Sequence, residues 1–215
     1  LDSVNNDNYC FAVALILCQT QTALLDPRMV ELRCFPEELK DRFLKRLEMT
    51  SWDWETGWSA LEELGREARD RGEYRMKHAR YGELLVESLA RHQDKTEVLL
   101  ALLERRYTGY EKNLMLWLEH FLIELAGRMR LQAVVPVLVR RMLEGDELLS
   151  DSCTMALPNI GGDVVVTALA DRWRRRGGGF RRGAAEITGH IHTDLSVQKL
   201  LEFFSREKDE DTKEF

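Results

Sequence analysis

Apolar residues recur three and four positions apart along much of the chain, and the clearest such run is Leu125–Met142. This spacing places side chains on one face of an α-helix, whereas a half-buried strand would alternate every second residue. Leu, Ala, Glu and Arg are the most abundant residues, and all four favour helices. We therefore predict an all-α fold.

The Leu125–Met142 segment recurs twice at an offset of 31 residues. Five columns stay apolar in all three copies: Leu125, Ala156 and Ile187; Met129, Ile160 and Ile191; Val135, Val166 and Val197; Leu138, Leu169 and Leu200; Met142, Trp173 and Phe204. Between them Arg140 becomes Asp171 and then Glu202, the variation expected at solvent-facing positions. One helix pair cannot bury its own apolar face, so the repeat predicts stacked pairs that form a solenoid.

Two further columns of the repeat predict where its helices end and begin. Residues that terminate helices recur in the first column, as Gly127, Pro158 and Gly189. In the second column, Asp163 and Asp194 stand where a carboxylate would cap the next helix. Each unit is therefore predicted to be a helix, a short break and a capped helix.

The strings LAGRMRLQAVVPVLVRRML, LPNIGGDVVVTALADRW and ITGHIHTDLSVQKLLEFF resemble the short HEAT-like repeats of bilin-lyase-type proteins. The resemblance covers about residues 80–206, including a weaker copy around Leu100–Tyr107. It implies an α-solenoid, a superhelix of stacked antiparallel helix pairs. Two departures from the pattern are that Pro136 occupies the second-helix proline position only once and that Arg128–Arg130 replaces the usual Ile-Gly turn.

The first 80 residues do not follow the 31-residue register. Their candidate helices are Asn8–Leu25, Pro27–Cys34, Pro36–Glu48 and Trp54–Arg71. We expect these helices to cap one open end of the array. The predicted organisation is thus a helical cap over 1–80, HEAT-like repeats over 81–206 and an acidic tail over 207–215 that frays.

The chain's net charge is −6 and its isoelectric point is about 5.5. A global charge of this sign argues against non-specific binding to nucleic acid or to an anionic membrane. The four cysteines have no CxxC spacing, which favours a reducing, cytoplasmic setting. The apolar stretch Cys10–Cys18 is too short for a membrane span, and no basic segment precedes it, so we expect neither a span nor a signal peptide.

An arginine cluster runs from Arg172 to Arg182 and includes Trp173 and Phe180. Arginine pairs bidentately with phosphate and aromatic rings stack on bases, so one interpretation is a phosphate or nucleic-acid site. The alternative is structural, because Trp173 falls in a core column and arginines at the end of a helix complement its dipole. The sequence alone leaves both interpretations open.

The segment His190–Asp194 contains two histidines and a carboxylate, the ligand types that suit zinc or iron. It also coincides with the turn between two predicted helices, and no distant third ligand is identifiable, so we predict no metal site. The chain contains neither a Gly-x-Ser-x-Gly elbow nor a His-Glu-x-x-His motif. We therefore predict no catalytic residues, no cofactor and a non-enzymatic role.

The leading hypothesis is an interaction scaffold that binds a protein or peptide on a concave face. The second helix of each pair would line that face, over residues 94–107, 132–143, 163–176 and 195–206. The predicted binding residues are Arg140, Arg141, Arg172, Arg175, Arg176, Arg181, Arg182 and Glu202.

Two enzymatic alternatives come from relatives of the repeat. Some HEAT-like proteins are alkylpurine DNA glycosylases with aromatic residues in a basic groove, and Trp117, Trp173 and the arginine cluster fit that pattern. The resemblance to bilin-lyase-type repeats also implies bilin lyase or isomerase activity. The acidic net charge argues against a DNA glycosylase. No residue here indicates the tetrapyrrole pocket that a bilin lyase or isomerase would need.

Overall fold

A computed structural model of the chain describes residues 37–72, 76–104, 112–144, 147–173 and 177–207. Within these ranges the protein contains ten α-helices, three short 3₁₀ helices and no β-strand. The predicted all-α fold is confirmed. Among the same residues, no helix combines the length and apolar character that a membrane crossing requires.

The helices are short to medium in length and are separated by brief turns. In chain order they are α1 (Glu37–Glu48), α2 (Trp54–Arg71), α3 (Met76–Leu89), α4 (Thr96–Leu103), α5 (Lys112–Arg128), α6 (Val135–Arg141), α7 (Glu147–Ile160), α8 (Gly162–Trp173), α9 (Gly178–Gly189) and α10 (Asp194–Arg206). The 3₁₀ helices are Met49–Ser51, Gln93–Lys95 and Gln132–Val134, each directly joined to an α-helix.

The chain divides into two compact units, residues 1–58 and 59–215. The described part of the first unit contains α1 and the beginning of α2. Trp54 and Trp58 stack one turn apart on α2, with ring centroids 5.7 Å apart and ring planes 7° from parallel. The two predicted helices upstream of residue 35 lie outside the described residues, and the boundary predicted at residue 80 from the repeat register stays a prediction.

In the second unit the helices form two series. Helices α3, α5, α7 and α9 each contact the next member of their series. In the other series α4 contacts the 3₁₀ helix that leads into α6, α6 contacts α8, and α8 contacts α10. Consecutive helices join the series, through the pairs α4–α5, α6–α7, α7–α8, α8–α9 and α9–α10.

The apolar columns of the repeat form the core of this unit, except at positions on α10. The columns that begin at Leu125 and Met129 are buried in all three copies. In the column of Val135 and Val166, however, the third member Val197 is 58% exposed. Phe204 is likewise exposed, although Met142 and Trp173 in its column are buried. On α10 the expectation that the apolar columns form the core is therefore wrong at Val197 and Phe204, and Leu200 is only half-buried.

The neighbouring residue Phe203, rather than Phe204, packs into the core. Phe203 is buried and stacks on Trp173, with ring centroids 3.7 Å apart and planes 1° from parallel. Among the described helices none follows α10, so its inner face packs on α8 and α9 while its other apolar face remains open.

The helix-terminating residues lie slightly inside their helices. Gly127 belongs to α5, which ends at Arg128, and Pro158 belongs to α7, which ends at Ile160. Gly127 also permits close packing, because a Cβ there would lie 3.0 Å from the Cα of Ala156. At this point α5 and α7 therefore approach closely enough to require a small residue.

The capping residue of α10 is Thr193, one position before the predicted Asp194. The Thr193 hydroxyl accepts a hydrogen bond from the Ser196 amide, and the Ser196 hydroxyl accepts one from the Thr193 amide, at 3.2 and 3.1 Å. Asp194 and Asp163 instead lie in the first turns of α10 and α8. Their carboxylates still complement the positive ends of those helices.

Left-handed backbone occurs at the turns between paired helices. Gly161 and Gly162 have φ of +67° and +76° in the turn from α7 to α8. Arg130, which precedes Gly161 by one repeat, has φ of 52° in the turn from α5 to the 3₁₀ helix. An L-residue with a side chain is disfavoured in this region, so Arg130 occupies a position better suited to glycine.

Candidate functional site

The outward positions of α6, α8 and α10 form a set of exposed side chains on helices that contact one another. Except for Val164 these residues recur at the repeat offset of 31, and within each helix they are spaced three and four apart, so each group shares one helix face. We call the set the repeat face; it consists of Pro136, Arg140, Val164, Thr167, Asp171, Gln198 and Glu202, all exposed except the partly buried Glu202.

The charges of the repeat face change sign between helices. Arg140 on α6 has a side chain that is 56% exposed, with its Nε 3.7 Å from a carboxylate oxygen of Glu144. Asp171 stands at the equivalent exposed position of α8. On α10, Glu202 binds Lys199 at 2.8 Å and also pairs with Arg206. The face therefore offers a cationic side chain on α6 and an anionic one on α8 beside the exposed Val164, whereas Glu202 on α10 is already paired with two cations.

Arg141, the neighbour of Arg140, is buried in the core. Its Nε lies 2.7 Å from Oε1 of Glu119, and both side chains are only 2% exposed. Its Nη1 donates to Glu144 at 2.5 Å, and its Nη2 donates to the carbonyl of Leu103 at 3.4 Å. A guanidinium held in this way stabilises helix packing, which corrects the prediction that Arg141 belongs to a binding surface.

The described arginines of the cluster differ in their surroundings. Arg172 is partly buried and donates to the Ala168 carbonyl of its own helix at 3.1 Å. Arg181 makes a bidentate pair with Glu207, at 2.7 and 3.2 Å. Arg182 is exposed. The remaining arginines, residues 174–176, lie outside the described residues, and with them the predicted sites Arg175 and Arg176.

The structure shows the burial of two residues near this cluster, Trp173 and Glu207. Trp173 is buried against Phe203, so its ring is part of the core rather than a platform for a nucleobase. Glu207, the first residue of the predicted tail, is buried and paired with Arg181, so the tail begins later than expected. The rest of the tail lies outside the described residues.

The histidines of the His190–Asp194 segment do not converge on a buried point. His190 and His192 are exposed, while Ile191 between them is buried in its core column. Over the described part of the chain, no group of three or more His, Cys, Asp or Glu side chains is arranged to hold a metal ion.

Two titratable groups with shifted pKa values were not among the predicted sites, the half-buried His120 and the buried Cys153. Burial lowers the pKa of His120 to about 4. Burial also raises the pKa of the Cys153 thiol to about 12, although nearby Arg141 acts in the opposite direction. At neutral pH the imidazole is therefore neutral, and the Cys153 thiol is protonated and unsuited to act as a nucleophile.

The buried Glu119 was also missed, although the sequence contains a signal for it. Glu119 is four residues from both Met115 and Ile123, which are buried on the same face of α5. A carboxylate in an apolar stripe requires a partner, but the pattern does not say which cation supplies it.

Comparison with protein-family models, with curated proteins and with solved structures found no match to this chain.

Proposed function

We propose that the second unit is a HEAT-like α-solenoid whose repeat face binds a protein or peptide partner. Support for the architecture comes from the two series of helices, each packed on the next member of its own series and joined by consecutive pairs. Stacking of this kind is typical of solenoids, in which each repeat contacts mainly its neighbours. The 31-residue recurrence of buried residues supports the same arrangement.

The observation that carries the binding proposal is the contrast between buried and exposed columns. Buried columns keep apolar residues from copy to copy, because they form the core. The outward column Arg140, Asp171 and Glu202 changes its charge on contacting helices. Fold stability does not dictate these identities, so they are available to select a partner.

The repeat face indicates the chemistry of that partner. Val164 is an exposed apolar residue on α8, the middle helix of the face, which also carries Asp171 and contacts α6 with its Arg140. An apolar centre with a polar surround is typical of protein interfaces. We infer a peptide or helix with an apolar anchor for Val164, a carboxylate toward Arg140 and a basic side chain toward Asp171.

The proposed role is non-enzymatic and needs no cofactor. A cytoplasmic setting is part of the proposal, supported by Cys153, which is a buried thiol outside any disulfide. The DNA-binding alternative has weaker support, because Arg172 and Arg181 are engaged within the chain and Trp173 is buried. Titration with duplex DNA at low salt tests it, and a salt-dependent shift would favour this alternative.

The experiment uses peptides selected on the intact chain from a display library. Their affinities are then compared between the wild type and the variants Asp171→Lys and Val164→Glu, with Asp151→Lys as the control. Asp151 is exposed on α7 and lies outside the repeat face. Each repeat-face variant should weaken binding about tenfold or more, whereas Asp151→Lys should leave it unchanged.

Two results would contradict the proposal. Selected peptides that bind Asp171→Lys and Val164→Glu as tightly as the wild type would place the binding site elsewhere. Equal weakening by Asp151→Lys would show that the effect is not confined to the repeat face. Circular dichroism of each variant separates loss of binding from loss of fold.

A further inference from the structure

Six members of the repeat face form two rows that cross the helices. Each row has one member on each of α6, α8 and α10, at the repeat offset of 31. The rows are four residues apart on every helix, so they lie about one turn apart on the same face. The charged row consists of Arg140, Asp171 and Glu202, and the polar row consists of Pro136, Thr167 and Gln198.

The distance between neighbouring members of a row limits the conformation of a peptide that follows it. Helix α6 packs on α8, and α8 packs on α10. The axes of packed helices lie about 8–10 Å apart, so in the proposed solenoid equivalent residues of successive copies are separated by about that distance. A polyproline II peptide presents every third side chain on one side, at intervals of about 9 Å. A β-strand repeats a side at about 7 or 13 Å and fits poorly.

An α-helical peptide matches the same distance, because residues seven apart lie on one side at about 10.5 Å. The composition of the repeat face argues against it. Helices dock through an apolar stripe in a hydrophobic groove, but the apolar members of the face are Pro136 and Val164, which lie on different helices. The backbone of a polyproline II peptide keeps its polar groups unbonded. The exposed side chains of Thr167 and Gln198 can therefore form hydrogen bonds with it.

The signs of the charges determine which side chains the peptide needs. Arg140 is 56% exposed and is only loosely paired, with its Nε 3.7 Å from Glu144. Asp171 is exposed at the equivalent position of α8. A carboxylate opposite Arg140 and a cation opposite Asp171 complement this pair of neighbours. The third member of the row, Glu202, selects less strongly because it is already paired with two cations.

We propose that the partner segment is an extended peptide in the polyproline II conformation that crosses α6 and α8 along the charged row. It carries an acidic residue opposite Arg140 and a basic residue three positions away opposite Asp171. Either chain direction satisfies both contacts. This inference rests on the proposed function and adds the conformation and the charge spacing of the partner. Proline at the two intervening positions should favour binding, because it fixes the conformation beforehand.

Fluorescence anisotropy of labelled peptides titrated with the full chain at low salt tests the spacing. Two peptides carry the cores Glu-Pro-Pro-Lys and Lys-Pro-Pro-Glu, and the spacing controls have one or three prolines between the same two charges. All have the same net charge, so attraction to the protein as a whole is constant. The tighter of the two spaced-three peptides should bind about threefold or more tighter than every spacing control, because only it forms both ion pairs.

A charge reversal on the protein should change which peptide is preferred. Asp171→Arg places cations at neighbouring positions of the charged row, so Glu-Pro-Pro-Glu should then bind more tightly than Glu-Pro-Pro-Lys or Lys-Pro-Pro-Glu. Spacing three should remain the best. Asp151→Arg is the matched control, because Asp151 is exposed on α7 and lies outside the repeat face. It changes the net charge equally and should keep the preference for one acid and one base.

Equal binding at all spacings overturns the proposal, and so does an Ala-rich helical peptide with Glu and Lys seven apart that binds more tightly than the spaced-three peptides. Failure of the spaced-three peptides to bind, while library-selected peptides still lose affinity with Asp171→Lys, would overturn the extended conformation and leave the repeat face as the binding site. Library-selected peptides that ignore both Asp171→Lys and Val164→Glu would instead overturn the proposed function, and this inference with it.

Discussion

Arg141 and Glu119 form an ion pair inside the second unit, with Nε and Oε1 2.7 Å apart and with both side chains almost completely buried. The pair joins α6 to α5, the helices on either side of the first repeat turn. Removing one charge from such a pair leaves the other buried without compensation, which costs more than the pair contributes when it is intact.

Replacing one member of this pair should destabilise the protein strongly. We expect Glu119→Leu or Arg141→Leu alone to lower the free energy of unfolding by about 3–5 kcal/mol. The double variant should lose clearly less than the sum, because it leaves neither charge stranded. Urea denaturation of the four proteins forms a double-mutant cycle, and strict additivity would contradict this account.

Arg130→Gly should stabilise the protein. Arg130 has left-handed backbone at the position where the next copy has Gly161. Relief of that strain outweighs the extra freedom of glycine in the unfolded chain, for a net gain of about 0.5–1 kcal/mol. The control Arg128→Gly lies at the end of α5 and should be destabilising by up to about 1 kcal/mol. Thermal melting would refute the prediction if both variants lost stability.

Gly82→Ala should destabilise the packing of α3 on α5. A Cβ at Gly82 would lie 2.1 Å from Cζ of Phe121, whose ring is buried, so the ring must move. Overpacking of this kind costs about 1–3 kcal/mol. Gly179 also lies within a helix, but a Cβ there would meet no neighbouring side chain or helix within 4 Å, so Gly179→Ala is the matched control. Denaturant midpoints should fall for Gly82→Ala and hold or rise for Gly179→Ala.

Stability should decrease on acidification because of His120. Burial lowers its pKa from 6.5 to about 4 in the folded protein. Between these values the unfolded chain binds a proton that the folded protein does not, so the free energy of unfolding falls as the pH falls. One such group contributes at most about 1.4 kcal/mol per pH unit. His120→Gln should show a shallower decline from about pH 6.5 to about pH 4, and an unchanged slope would contradict the assignment.

The hydrophobic pattern predicted the helices of the second unit well, because a face buried in each copy needs apolar residues at a fixed spacing. The bounds of α2, Trp54–Arg71, were likewise predicted. Helix starts were less accurate: Thr193 and Asp194 can both serve as a cap, and only the backbone decides between them.

The exposure of Val197 and Phe204 could not be predicted from periodicity. The sequence of an apolar column is the same whether or not a neighbouring helix covers it. Exposure depends on which helices pack against the column.

The different environments of Arg140 and Arg141 follow from helix geometry, but the partner that Arg141 finds in the core does not. Successive residues point about 100° apart on a helix, so one arginine faces solvent while the next faces the core. The partner Glu119 lies in another helix, and one sequence contains no signal that pairs the two. The variation in charge at position 140 was informative because it marks a position that the core does not constrain.

The pairing of helices with near neighbours has a consequence for folding. Every substantial contact among the described helices of the second unit joins helices at most two apart in chain order. Short loops close with little loss of entropy, so such a unit should fold rapidly. Amide exchange should be slowest near α5 and α7, which have neighbours on both sides, and fastest in α10, where unfolding can begin without disturbing the rest.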